Sequence, residues 1–395
     1  MTQKYKINII GAGLGGLTAA ILLKIDGHDV KVFEQAPELG EVGAGIQVSA
    51  NAVKVLWKIG LANVIDRQGV KPTSYKFRLY NSGELLQEFP LASTHEEKCG
   101  APYYQMHRAD LHKALTDKVL EIDPNMVELN KTATKISQNE AGTTISFMDG
   151  SVSEADLVIG ADGIKSIVRQ ETIGRSEADF TGETAWRLIV PTEKLPKGLI
   201  DEAMNVWVGP GKHAVVYYLR GGELVNFVGC VTDPNWTDDS WTIKGDWNDL
   251  RADYEGWNDE ILAIIDATDK NECFKWALYN RRPVDNWSTD RSTLLGDSCH
   301  ATLPYMAQGA AMAIEDGAVL NRALASEDKL ADALDLYQRN RIDRTAKIVN
   351  ESSDNARLFH LPSEEELRAA FAKRKIGDER NNWLYNYDPI NVALI

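Results

Sequence analysis

A glycine-rich hexapeptide near the start of the chain, Gly11-Ala12-Gly13-Leu14-Gly15-Gly16, restricts the fold more than any other feature. Residues 6–10 form a short apolar run that reads as a strand. Residues 17–24 are rich in helix formers, Gly27 suits a helix stop, and 29–33 form a second apolar strand ending at Glu34. Strand, glycine loop, helix, strand is the βαβ opening of a parallel sheet. In such a unit Gly11 permits the tight turn, Gly13 lets the backbone approach a pyrophosphate, and Gly16 lets the helix pack on the strand. The helix N-terminus turns free N–H groups and a positive dipole end toward the phosphates. Glu34 stands where a carboxylate accepts hydrogen bonds from a ribose diol. The bland alternative is a glycine-rich turn with no ligand, and the motif alone does not choose between NAD and FAD.

Charge and cysteine usage narrow the partners. Lys plus Arg is 43 and Asp plus Glu 58, a formal net charge of −15. Nucleic acid needs clustered cations, so it is an unsuitable ligand. The four cysteines, Cys99, Cys230, Cys273 and Cys299, are widely spaced, which argues against a disulfide framework or a zinc site and for a reducing, cytoplasmic setting. The apolar run 7–23 follows Lys4 and Lys6 but contains four glycines, so it reads as the βα core rather than a membrane anchor.

Further along, Gly40, Gly43 and Gly45 form a second glycine loop running into a helical pattern at 51–59, and 108–119 reads as a helix. Residues 127–136, 144–147 and 155–159 read as strands. From about 180 to 275 aromatics thicken (Trp186, Trp207, Tyr217, Tyr218, Phe227, Trp236, Trp241) and β-type runs dominate, including 214–219 and 224–230. Near 290 the α/β texture returns, with a strand at 292–295 and a helix at 308–323. The tail carries a charged helix, 363–375, and an aromatic end at 383–388. The expected fold is α/β: a Rossmann-like parallel-sheet domain from 1–72, 102–178 and 274–350, a β-rich substrate domain from 73–101 and 179–273, and a helical tail, 351–395.

Two more segments carry chemistry. In ADLVIGADGIKSIVR (155–169) a buried strand ends in Asp162-Gly163, with Ser166 and Arg169 beyond. Alone it is as readily an ordinary strand-to-helix turn. In LLGDSCH (294–300) a strand delivers Asp297, Pro304 and Gly309 shape a loop, and a helix begins. An Asp at a strand end binds sugar-like hydroxyls, and a helix N-terminus beyond it stabilises negative charge. His300 is better explained as structural than catalytic.

With GAGLGG and Glu34, GAGIQVSANA at 43–52, HRADL at 107–111, ADLVIGADGIKSIVR, and LLGDSCHATLPYMAQGAAMAIEDGAVL at 294–320, the chain resembles the single-component FAD-dependent aromatic hydroxylases of the salicylate hydroxylase and 6-hydroxynicotinate 3-monooxygenase type. The resemblance covers almost the whole chain. It implies that Gly11, Gly13, Leu14, Gly15, Gly16, Glu34 and Gln35 hold the ADP half of FAD. It places Arg108 at the pyrophosphate or ribityl region and Asp297 on ribityl hydroxyls or phosphate. Gly45, Gln47, Pro304, Gly309 and Ala310 lie around the flavin, and Asp162 belongs to a motif serving both FAD and the nicotinamide cofactor. NAD(P)H, with NADH favoured over NADPH, visits transiently, since the chain has one G-x-G-x-x-G. The implied reaction passes through a flavin C4a-hydroperoxide that attacks an electron-rich ring, with the protein excluding water and assisting deprotonation; no metal is required.

The candidate catalytic residues are His213, Tyr217, Tyr305 and Gln47. His213 and Tyr217 are four apart on a predicted strand and share one face, so a sheet could present an imidazole and a phenol to one pocket. A surface His and a core Tyr is the alternative. His213 and Tyr217 agree with the 6-hydroxynicotinate branch and with 3-hydroxybenzoate 6-hydroxylases. Gln47 and Tyr305 stand where the former carries histidines, and Tyr305 resembles salicylate hydroxylases. The expected substrate is a small hydroxylated aromatic or pyridine carboxylic acid, hydroxylated with O₂ and with loss of CO₂, by a monomer or homodimer without nucleic acid or membrane. The alternatives are hydroxylation without decarboxylation, an NAD-linked dehydrogenase, or a non-catalytic flavin binder.

Overall fold

Five parallel strands hydrogen-bond in the order Ser292–Leu294, Leu157–Gly160, Lys6–Ile10, Asp29–Phe33, Val127–Glu128 in the computed structural model, which describes residues 3–40, 44–236, 243–374 and 383–395. Ile7, Ile9, Val30, Val32, Leu157 and Ile159 are buried, as strands covered on both faces require. The helix Leu14–Ile25 crosses Gly309–Ser326 closely: a Cβ on Gly317 would lie 3.0 Å from the Ala19 nitrogen. The first helix begins three residues earlier than the composition suggests, because the glycine loop itself runs into helical backbone. Gly43 of the second glycine loop, Trp241 and Lys375 lie outside the described residues.

A second sheet of seven strands runs Phe274–Asn280, Asp179–Pro191, Leu224–Thr232, Lys212–Leu219, Met204–Gly209, Ser74–Leu79, Leu85–Pro90. Its period-2 alternation separates two cores. Trp186, Leu188, Trp207, Ala214 and Val216 face outward and are covered by Leu250, Tyr254, Ile261 and Ile265 from the helices Trp247–Asp253 and Asp259–Asp266, two helices that the aromatic β texture concealed. Phe77, Val206, Tyr217, Cys230 and Trp276 face inward toward Tyr305 and Phe359. The strand Phe274–Asn280 pairs antiparallel with Asp179–Pro191 in this sheet, so the chain rejoins the parallel sheet after residue 280 rather than at 274. A single helix, Leu330–Phe359, runs through the expected boundary at 350. It pins the tail: Arg344 donates to the carbonyls of Trp383 (2.8 Å) and Leu384 (2.9 Å) and lies 3.9 Å from the Tyr387 ring centroid. Among the described residues no helix is long and apolar enough to cross a membrane.

Candidate active site

The first glycine loop divides its labour. Gly11 has φ +102°, and a Cβ there would sit 2.4 Å from the Ala161 carbonyl oxygen. A Cβ on Gly16 would lie 2.1 Å from the Gly11 carbonyl oxygen, and one on Gly15 would lie 2.7 Å from Leu295 Cδ1 and 2.9 Å from Ala313 Cβ. At these three positions packing by itself already requires glycine. A Cβ on Gly13 would meet nothing within 4 Å, so this glycine borders open space. Leu14 is buried and opens a helix with no side-chain cap and no acidic residue in its first turn. Its first N–H groups are therefore available to an anion. The His112 imidazole donates to the Ala12 carbonyl (2.8 Å) and steadies the loop from behind. Glu34, at the end of the second strand, accepts from the amides of Ala12 (2.8 Å) and Ala36 (2.9 Å), with exposed Gln35 beside it.

A second helix N-terminus lies across from it. Asp297 is exposed between buried Gly296 and Ser298. Pro304 opens a short turn ending at Ala307, a non-glycine residue at φ +54°. The helix Gly309–Ser326, with Ala310 in its first turn, has no side-chain cap either. Its preceding residue, Gln308, is buried and tied instead to Ser49 (2.9 Å) and Asn51 (2.9 Å) of the second glycine-loop segment. Arg108 begins the helix Arg108–Ile122, and its amide donates to Ala44 (2.7 Å). Asp162 accepts from Ser166 Oγ (2.6 Å) and the amides of Ile167 (2.8 Å) and Val168 (3.1 Å), so its carboxylate braces its own turn. Two uncapped helix ends, a vacant flank at Gly13 and a carboxylate at a strand end fit the pyrophosphate, flavin edge and ribose of FAD.

The inner face of the seven-stranded sheet brings the other candidates in. A Cβ on Gly45 would lie 2.4 Å from the Tyr217 hydroxyl oxygen, and the Gly45 amide donates to Asn226 Oδ1 (2.8 Å). Gln47 accepts from the buried Tyr103 hydroxyl (2.5 Å) and hydrogen-bonds Tyr217. Burial raises the Tyr217 phenol, against the opposing pull of Gln47 and Arg187. His213 shares this face and is 1% exposed, with ring centroids of Tyr305 at 4.7 Å and Phe359 at 5.3 Å. Burial first, then neighbouring His360, drives the His213 imidazole well below its ordinary range, so it is neutral. Tyr305 donates to Glu183, and burial, Cys230 and Glu183 hold it protonated. The structure thus groups Gln47 with Tyr217 and Tyr305 with His213.

Sequence reasoning missed Arg187. It shares the inner face with Ala185 and Ile189, pairs in register with Val228, and its guanidinium stacks 4.3 Å from the Trp276 ring centroid. The signal was legible: charges at 183 and 187 fall on one side of a strand whose other side is Trp186, Leu188 and Val190. Glu183, His360 and Tyr103 were also missed.

Among the described residues one grouping, Cys299, His300 and Asp316, has metal-ligand spacing. Asp316 already accepts from Gly296 N (2.9 Å), His300 Nε2 (2.6 Å) and Arg341 Nε (2.7 Å), so the grouping is a buried ion network that braces the turn at Asp297.

The family profile described as "FAD binding domain" matches residues 4–352. The chain is 35% identical over 402 residues to a 6-hydroxynicotinate 3-monooxygenase of Pseudomonas fluorescens, covering 100% of this chain and 98% of that one. It is 36% identical over 361 residues to a 3-hydroxybenzoate 6-hydroxylase of Polaromonas naphthalenivorans, covering 91% and 89%. Klebsiella pneumoniae HpxO, solved with FAD and uric acid, superposes with a TM-score of 0.84 at 27% identity, covering 95% of each chain.

Proposed function

This chain belongs to the FAD-binding-domain family and is a FAD-dependent aromatic-ring hydroxylase, and from that premise we propose that it oxygenates a small hydroxylated benzoate or pyridine carboxylate. Bound FAD supplies the redox and oxygen-activating chemistry. NADH is the transient reductant and O₂ the co-substrate, and the four buried free cysteines accord with a reducing, cytoplasmic setting.

The observation that carries the substrate class is Arg187 on the face that also bears Tyr217 and His213. A half-buried guanidinium held 4.3 Å from the Trp276 ring centroid is partly desolvated, which strengthens its pairing with a carboxylate. Gln47, held by Tyr103, orients the Tyr217 hydroxyl toward the ring substituent. His213, kept neutral by burial, takes the ring hydroxyl's proton and so makes the ring electron-rich. On the cofactor side, Gly13, the N-terminus of Leu14–Ile25, Glu34, Arg108, Asp297 and the N-terminus of Gly309–Ser326 hold FAD.

The test is a panel of hydroxybenzoates and hydroxypyridine carboxylates on the flavin-loaded protein, following NADH and O₂ consumption, product identity and released CO₂. One or more acids should accelerate NADH oxidation at least about tenfold with oxygenated product. We expect ring attack at the carboxyl-bearing carbon, with CO₂ released; product retaining its carboxyl group corrects that detail. Acceleration by none of the panel would remove the substrate class.

A further inference from the structure

Four buried side chains from four separate elements form one unbroken chain of polar contacts. Glu183 stands on Asp179–Pro191, His213 on Lys212–Leu219, Tyr305 in the turn before Gly309–Ser326, and His360 at the end of Leu330–Phe359. The Tyr305 hydroxyl donates to Glu183 Oε2. The other carboxylate oxygen, Oε1, lies 3.1 Å from His360 Nδ1, and His360 Nε2 lies 2.8 Å from His213 Nδ1. Exposure is 9% for Glu183, 1% for His213 and 5% for Tyr305. The His360 side chain is 7% exposed, and Thr232 Oγ1 lies 3.2 Å from its Nδ1.

We propose that Glu183 and His360 are positioning residues that hold His213 in the one tautomer able to act as a base. The argument is one of donors and acceptors. An ionised carboxylate only accepts, so His360 carries its proton on Nδ1 and presents a lone pair at Nε2. That lone pair must receive a proton from His213 Nδ1. The remaining nitrogen, His213 Nε2, is then unprotonated. When His213 Nε2 takes the substrate's hydroxyl proton, the O–H bond breaks and an N–H bond forms. The Nδ1 proton then passes to His360 Nε2, so the positive charge comes to rest beside Glu183. No electrons are exchanged and no further reactant is consumed. The other titratable groups packed here are Cys230, opposite His213 in register, Tyr305, and Tyr254, whose hydroxyl donates to the His213 carbonyl (3.1 Å). All three are held protonated by burial, and Glu183 is the carboxyl group of this cluster.

This inference rests on the reading that His213 accepts the ring hydroxyl's proton, and the test separates the two. 3-Hydroxybenzoate and 6-hydroxynicotinate are bound to the oxidised, flavin-loaded protein without NADH, and ligand ionisation is followed against pH by ultraviolet difference spectra. Glu183→Gln should raise the bound ligand's apparent pKa by about one unit or more, a tenfold shift. The reason is that the amide can donate to His360 Nδ1, reversing both rings. His360→Gln should do the same, and Glu183→Asp, which keeps a carboxylate, should show only part of that rise. Flavin content, and ligand affinity measured at a pH where the bound ligand keeps its hydroxyl proton, should change by less than about threefold, because neither residue is assigned to the carboxylate or the flavin. If His213→Gln abolishes the ionisation while Glu183→Gln and His360→Gln leave it untouched, the positioning role is wrong. If His213→Gln itself leaves ionisation unchanged, the reading of His213 as base falls and the relay with it. Should Glu183→Gln not fold, His360→Gln decides the matter alone.

Discussion

The Arg187 guanidinium carbon lies 4.3 Å from the centroid of the Trp276 ring, from neighbouring antiparallel strands of the seven-stranded sheet. Trp276 is paired with Ala185, two residues from Arg187 on the same face, so the sheet register brings the cation to the ring. Arg187→Gln should raise KM for carboxylate substrates at least about 30-fold, roughly 2 kcal/mol, and Arg187→Lys should recover little of it because an ammonium lacks the planar fork. Steady-state kinetics with an acid and with the phenol lacking its carboxyl group check this. Equal losses for both compounds would remove Arg187 as the carboxylate anchor.

Gly13 and Gly16 predict opposite failures from the same substitution. Alanine at Gly16 puts a methyl 2.1 Å from the Gly11 carbonyl, a backbone atom that cannot yield, so Gly16→Ala should destabilise the fold by about 1–3 kcal/mol or more. Alanine at Gly13 meets no protein atom within 4 Å, so Gly13→Ala should change stability by less than about 0.5 kcal/mol. It should nonetheless weaken FAD uptake about tenfold or more, as the methyl stands where the pyrophosphate passes. Denaturant melts of the apoprotein and flavin titration separate the two. A Gly13→Ala protein with unaltered FAD affinity would place the pyrophosphate elsewhere.

The ion network at Asp316 is structural. Burial opposes ionisation, but His300 and Arg341 hold the Asp316 carboxyl down to about 2. Arg341 and Asp316 are both fully buried. Asp316→Asn leaves a buried guanidinium short of one partner and should cost about 3–5 kcal/mol. It should also loosen the turn that presents Asp297, because the single amide oxygen cannot accept from both Arg341 Nε and Gly296 N. Urea denaturation measures the first effect and flavin retention the second.

His95 supplies an acid-sensitive element. It is 4% exposed, with ring centroids 5.7 Å from Tyr103 and 5.1 Å from Tyr385. Burial, then the nearby Lys54, lowers its imidazole from 6.5 to about 4. Between those values the unfolded chain carries a proton that the folded chain excludes. Stability therefore declines as pH falls through that window, by on the order of 3 kcal/mol. His95→Phe keeps the aromatic contacts and removes the proton, so its stability should lose much less between pH 7 and pH 4. An unchanged acid limb would exclude His95 as its source.

The chain's own local pattern determined the parallel-sheet opening, the glycine loop, the carboxylate at Glu34, the helix end at Gly309, and the shared face of His213 and Tyr217. Each depends on residues within about one supersecondary unit, where helix and strand periods dictate which side a residue takes. Only the tertiary structure decided what stands opposite. Arg187 meets Trp276 through strand register, although they are 89 positions apart in the sequence. Glu183, Tyr305 and His360 converge on His213 because the helix Leu330–Phe359 ends against the inner face of the sheet. The same long-range pairing drew Phe274–Asn280 into the second sheet and laid two helices over its outer face. Periodicity specifies a side chain's direction from its own backbone. Its partners follow from sheet order and helix seating, which are set by the whole chain's burial of apolar surface.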